Sequence, residues 1–233
     1  MMSLVQGLYP YEIAIMGLGA LLFVIMLFAL IVYLFQGKSI GGLVVFFILS
    51  IAMIGYPRLK SIEYKDGVVS LGFYEQQLQK NPDDTQAREG LSKGLQAVQG
   101  RPADAKASLV VAKAQWALGD EQAAAKSLQP ALRAQSTIAE ATVLKDRIEN
   151  VQKLAQLTEK AEHNPAAVDR AELEKQLSQV TSQTVVSPQT AGTVARANAV
   201  LGQKEQAAQN AKKALTRNPN LIMAPQLRAI LKQ

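Results

Sequence analysis

Apolar positions divide the chain into a first quarter in which they are nearly continuous and a remainder in which they recur at intervals. Ile13 to Phe35 reads IAIMGLGALLFVIMLFALIVYLF and carries no charge. As a helix it is roughly 35 Å long, enough to cross the hydrocarbon core of a bilayer. The second run, Ile40 to Tyr56, reads IGGLVVFFILSIAMIGY; at roughly 26 Å it spans if it runs nearly upright or thins the bilayer. The four residues Gln36 to Ser39 between them permit only an antiparallel hairpin. Folding about that loop predicts close approach of Gly19 and Ala20 to Gly55, where small side chains admit a neighbouring helix. Tyr9, Tyr11, Tyr33 and Tyr56 fall at the ends of the spans, as interfacial anchors do. A cleaved signal peptide is not expected, because no basic region precedes the first run and a second span follows.

Beyond residue 57 the pattern changes twice. In SIEYKDGVVSL, Ser61 to Leu71, Asp66-Gly67 is the two-residue signature of a tight hairpin turn. Pairing outward from it places Ile62, Tyr64, Val69 and Leu71 on one face, so a short β-hairpin is expected over the junction, residues 58–72. From Phe73 to the end, helix formers dominate. Breaks are expected at Asn81 to Asp84, Gly100 to Asp104, Gly119-Asp120, Asn164-Pro165, Ser187-Pro188 and Asn218 to Asn220. The expected fold is all-α: a transmembrane helical hairpin within residues 1–57 (spans about 13–35 and 40–56), the β-hairpin junction, and a helical domain over 73–233.

Charge sharpens this division. Residues 1–57 carry only Glu12 and Lys38, which cancel, so the net charge of +6 belongs to the rest of the chain. The surplus is spread over helices without a clustered basic face, and a nucleic-acid partner is not expected. Arg58, Lys60 and Lys65 follow the second span, against Lys38 alone in the loop. That bias predicts an integral membrane protein with both ends and the helical domain on the cytoplasmic side. The short anchor and small size point to a bacterial inner membrane.

Within the helical domain one pattern repeats. LGDEQAAAKSLQPAL, Leu118 to Leu132, is echoed by LGQKEQAAQNAKKAL, Leu201 to Leu215. In the first copy two helices flank the Gly119-Asp120 turn, with Ala112 small where they cross and Ala124, Leu128 and Ala131 at helical spacing on the second. Ala195, Gly202, Ala207, Ala211 and Ala214 take the same places in the second, and Pro219 closes it. A poorer third copy precedes them, with Gly90, Gly94, Ala97 and Pro102 in its second helix. The pattern resembles the tetratricopeptide repeat (TPR), a 34-residue helix-turn-helix unit. The resemblance implies a TPR-like α-helical repeat domain that binds a protein or peptide partner. The copies are degenerate: Gln115 and Asn198 stand where that family commonly has a tyrosine. With Trp116 on the same first helix, these are the candidate partner-binding residues; for Trp116 core packing is the competing reading.

The copies lie 83 residues apart, so the array is interrupted. Leu144, Ile148, Val151 and Ala155 mark one face of a helix from about Ile138 to Glu162, and a second helix begins at Asn164-Pro165 and buries Leu173, Leu177 and Val180. The pair either packs within the chain or forms a homo-oligomer through residues 138–185.

Candidate chemistry changes little. There is no cysteine, and His163 is the only histidine, at a helix end where its ring is expected to meet the last carbonyls. Acidic pairs such as Asp83 with Asp84 fall in turns or on helix surfaces. No catalytic residue, metal ligand or cofactor site is expected, and the spans lack the ionisable groups of an ion or proton path. The expected function is therefore a membrane-anchored scaffold or adaptor. One alternative is a periplasm-facing assembly factor resembling the TPR subunit of cytochrome c maturation, although that family separates its spans by a large loop. A non-catalytic subunit of a membrane enzyme or transporter is the other.

Overall fold

A computed structural model describes residues 7–36, 41–134, 139–164, 168–182 and 187–232. Every regular element among them is helical. The helices are α1 (Pro10–Phe35), α2 (Gly41–Lys80), α3 (Thr85–Val98), α4 (Ala105–Leu118), α5 (Glu121–Arg133), α6 (Ala139–His163), α7 (Arg170–Thr181), α8 (Pro188–Val200), α9 (Lys204–Arg217) and α10 (Ala224–Ile230). The chain divides into two units, residues 1–68 with 97–103, and residues 69–96 with 104–233.

In the first unit, α1 and α2 are long and apolar enough to cross a membrane. Large apolar side chains such as Phe28, Leu34, Val45 and Ile48 lie exposed along them, the surface of helices that meet a membrane or another apolar partner. The close approach involves Gly19 alone: a Cβ there would lie 2.7 Å from the Met53 Cβ and 3.2 Å from the Ser50 carbonyl oxygen. Ala20 is exposed and Gly55 has open space where its side chain would be, so the expected pairing shifts by a fraction of a turn. Phe23 meets Phe47 edge-to-face, with ring centroids 5.5 Å apart. At the start of α1, the Glu12 carboxylate accepts the Tyr9 backbone N–H at 2.9 Å. Arg101 donates to that carboxylate at 3.3 Å and to the Gly7 carbonyl at 3.0 Å. Glu12 is buried, and the ion pair with Arg101 is what offsets its desolvation.

The expected β-hairpin at the junction does not form; α2 continues through it to Lys80. The residues assigned to one strand face separate: Tyr64 and Leu71 are buried, whereas Ile62 and Val69 are exposed. The buried set Ser61, Tyr64, Val68, Leu71 and Leu78 follows the helical period instead. A lone ribbon has no further strand to complete its hydrogen bonds, while a helix satisfies them internally and gives Tyr64 the same burial. Asp66-Gly67 is thus a helical pair, and Pro57, further back, is accommodated at the loss of one backbone hydrogen bond.

In the second unit the helices pack as successive hairpins. The α4–α5 turn is closed by Gly119 at φ +93°, a left-handed conformation that a side chain would strain. Its counterpart between α8 and α9, Gly202, has φ +77°. Side-chain caps start the helices: Asp104 accepts from the Ala107 N–H at 2.7 Å, Asp120 from Ala123 at 3.0 Å, and Ser187 from Thr190 at 3.3 Å. The small residues of both copies are buried, Ala112, Ala124, Leu128 and Ala131 in one hairpin and Ala195, Ala207, Ala211 and Ala214 in the other. Pro219 lies exposed in the turn after α9.

α6 carries the apolar face expected of it, with Leu144, Ile148, Val151 and Leu154 buried and Ala155 half-buried. The following helix starts later than expected: α7 begins at Arg170 under an Asp169 cap, and the Asn164 N–H instead finishes α6 by donating to the Lys160 carbonyl. Pro165 lies outside the described residues. Leu173, Leu177 and Val180 pack against Val151, Leu154 and Ala161 of α6 and Val194 of α8. The apolar faces of α6 and α7, Leu144, Ile148, Val151 and Leu154 on one and Leu173, Leu177 and Val180 on the other, are therefore packed within the chain.

Candidate partner-binding groove

The second unit holds a groove of about 400 Å³, within the size range of ligand sites. Trp116, Ala117, Ala139, Val143 and Leu144 give it apolar surface, and Glu75, Gln79, Lys113, Glu140 and Arg147 give it polar surface. Three segments contribute: the end of α2, the C-terminal half of α4, and the first two turns of α6 with Arg147 just beyond them. Trp116 is half-buried and touches two cores, that of α4, α5 and α6 and that of α6, α7 and α8. Its two readings are therefore compatible: part of the indole is core and part is groove wall. Lys113 donates to Glu140 at 2.5 Å, and that hydrogen bond, reinforced by the charge, holds the Glu140 carboxyl below its ordinary pKa. Val143 is 47% exposed at the groove.

The other two candidates do not join it. Asn198 is buried on α8 and lines a separate cleft of about 390 Å³ with Gln203, Gln206, Gln209 and Asn210. Its Oδ1 has no hydrogen-bond partner among the described residues, nor has the Gln115 Oε1. Sequence reasoning missed Glu75, Gln79, Glu140 and Arg147, because they come from α2 and α6, outside the repeat that drew attention to Trp116. The turn chemistry gave no signal for them.

Burial shifts Glu121 and Arg88 furthest from their ordinary protonation. Burial pushes the Glu121 carboxyl up to about 7, and its Oε1 lacks a partner among the described residues. Burial, and then the nearby Arg217, bring the Arg88 guanidinium down to about 10. Arg88 donates to the carbonyls of Ala117 at 3.0 Å and Pro82 at 2.7 Å, joining the end of α4 to the α2–α3 turn. His163 is exposed, with Nδ1 2.8 Å from the Glu159 carbonyl oxygen. Among the described residues no three His, Asp or Glu side chains cluster closely enough to hold a metal ion.

No protein-family model matches the chain, and no curated protein or solved structure matches it.

Proposed function

We propose that the protein is a membrane-anchored, TPR-like scaffold that holds a segment of a protein partner in the groove beside Trp116. The groove itself carries the reading. It joins an aromatic anchor and exposed Val143 to two carboxylates and two cations, the composition expected where an amphipathic segment docks an apolar side chain and pairs its charges at the rim. Two glycine-turn hairpins with buried alanines at matching positions support the repeat assignment, and two long apolar helices support the anchor. The excess of Arg58, Lys60 and Lys65 over Lys38 favours a cytoplasmic position for the helical domain in a bacterial inner membrane.

A photo-crosslinking amino acid at Val143, in intact membranes, tests the groove. A discrete adduct that disappears with Trp116→Ala or Glu75→Lys is expected. An adduct indifferent to both changes, or labelling no greater than at exposed Gln129, overturns the reading. Reporters fused to Gln233, active only inside or only outside the cytoplasm, decide the side.

A further inference from the structure

We infer that α2 carries a self-association seam, and that a second copy of this chain occupies it through a parallel α2–α2 pair. Leu59, Ile62, Asp66, Val69 and Phe73 follow one another at intervals of three and four residues, the a and d spacing of a heptad. The four apolar members are 67%, 48%, 63% and 55% exposed. Ser61, Tyr64, Val68 and Leu71, on the other side of the same helix, are buried within the chain. The helix thus has one face committed to its own fold and an opposite face, apolar and regular, left exposed among the described residues. Towards its start the same spacing passes through Gly55, Ala52, Ile48 and Val45. A Cβ on Gly55 would meet nothing, so this stretch admits a neighbouring helix closely.

Two observations, and one consequence of the anchor reading, select a second copy as the occupant. The seam keeps strict seven-residue spacing, which an unrelated apolar ligand does not require but a coiled-coil partner does. Copies inserted in one membrane share a direction and a depth, so each position of the seam meets its own equivalent; this step rests on the anchor reading above. The flanking charges also match. In a parallel pair the residue before an a position faces the residue after the next d position on the other helix. That sets Arg58 of one copy against Glu63 of the other. Arg58 is exposed, and Glu63, 56% exposed and paired with Lys60 at 2.9 Å along its own helix, can accept a second cation. Asp66 is the one polar residue in the seam. Two such carboxylates facing each other fix the register and weaken the pair.

The chain contains no cysteine, so single introduced thiols report proximity. Full-length Ile62→Cys and, as control, Lys145→Cys on the exposed surface of α6 are oxidised in isolated membranes. The expected result is at least five-fold more covalent dimer for Ile62→Cys. Adding Asp66→Asn should raise that dimer fraction, and adding Leu59→Lys should lower it, with helix content unchanged by circular dichroism. Equal cross-linking of the two single variants, or an Ile62→Cys adduct with another protein, overturns the proposal. Alkaline carbonate extraction of the same membranes separates the two readings. Protein that stays in the pellet without dimer refutes the seam alone, whereas release into the supernatant refutes the anchor.

Discussion

Glu121 is the residue at which pH should be felt. It occupies the first position of α5 with a carboxyl pushed up to about 7 by burial and one oxygen without a partner among the described residues. Because its pKa is higher folded than unfolded, the native state binds the extra proton between the two values. The penalty for burying the charge is complete above about pH 7 and disappears as pH falls toward the ordinary carboxylate range, so this group makes stability rise on acidification. The start of a helix favours a carboxylate and offsets part of the effect; what remains is on the order of 1–3 kcal/mol. Glu121→Gln should therefore stabilise the protein at pH 8, have little effect at pH 5, and flatten the dependence between them. Thermal unfolding in mild detergent at the two pH values checks this. A Gln variant with the wild-type pH slope would place the titration elsewhere.

The helices show what local sequence can disclose. Gly119-Asp120 and its echo were readable as turns because a left-handed glycine followed by a helix start is a local requirement, and both glycines have positive φ. The junction misleads for an equally local reason. Tyr64 and Leu71 satisfy both a strand pattern with Ile62 and Val69 and a helical pattern with Val68 and Leu78, and only tertiary burial chooses between those periods. The groove was half legible: Trp116 announced itself by type, but Glu75 and Arg147 reach it through the packing of α2 and α6. The two turns differ in a way the sequence conceals. A Cβ on Gly119 would lie 3.1 Å from the Pro188 side chain, whereas Gly202 has open space. Gly202→Ala should cost about 1 kcal/mol, the strain of a left-handed alanine alone. Gly119→Ala should cost about 1 kcal/mol more, since α8 must also shift. Equal losses in chemical denaturation would mean that the α4–α5 turn does not bear on α8.

Those contacts decide how the helical domain behaves as a whole. In an open repeat array each hairpin touches only its neighbours, and loss of a terminal repeat leaves the rest folded. Here the last hairpin reaches elements far from it in sequence. Arg217, at the end of α9, donates to Asp83 in the α2–α3 turn at 2.7 Å, with its side chain only 5% exposed. Pro188, at the start of α8, lies against the α4–α5 turn. Val194, Ala197 and Leu201 complete the core that α6 and α7 share. Deleting residues 187–233 would strip cover from Val151, Leu154, Leu173 and Leu177. At roughly 1.5–3 kcal/mol for each large side chain fully uncovered, the loss is comparable with the whole stability of a typical domain, about 5–15 kcal/mol. The truncated chain should therefore lose protection in α6 and α7, which the deletion leaves in place, and hydrogen exchange should show those two helices exchanging at least a hundred-fold faster. Retention of wild-type protection in α6 after the deletion would show that the domain folds as an open array of independent hairpins, and that the Arg217–Asp83 and Gly119–Pro188 contacts contribute nothing to its cooperativity.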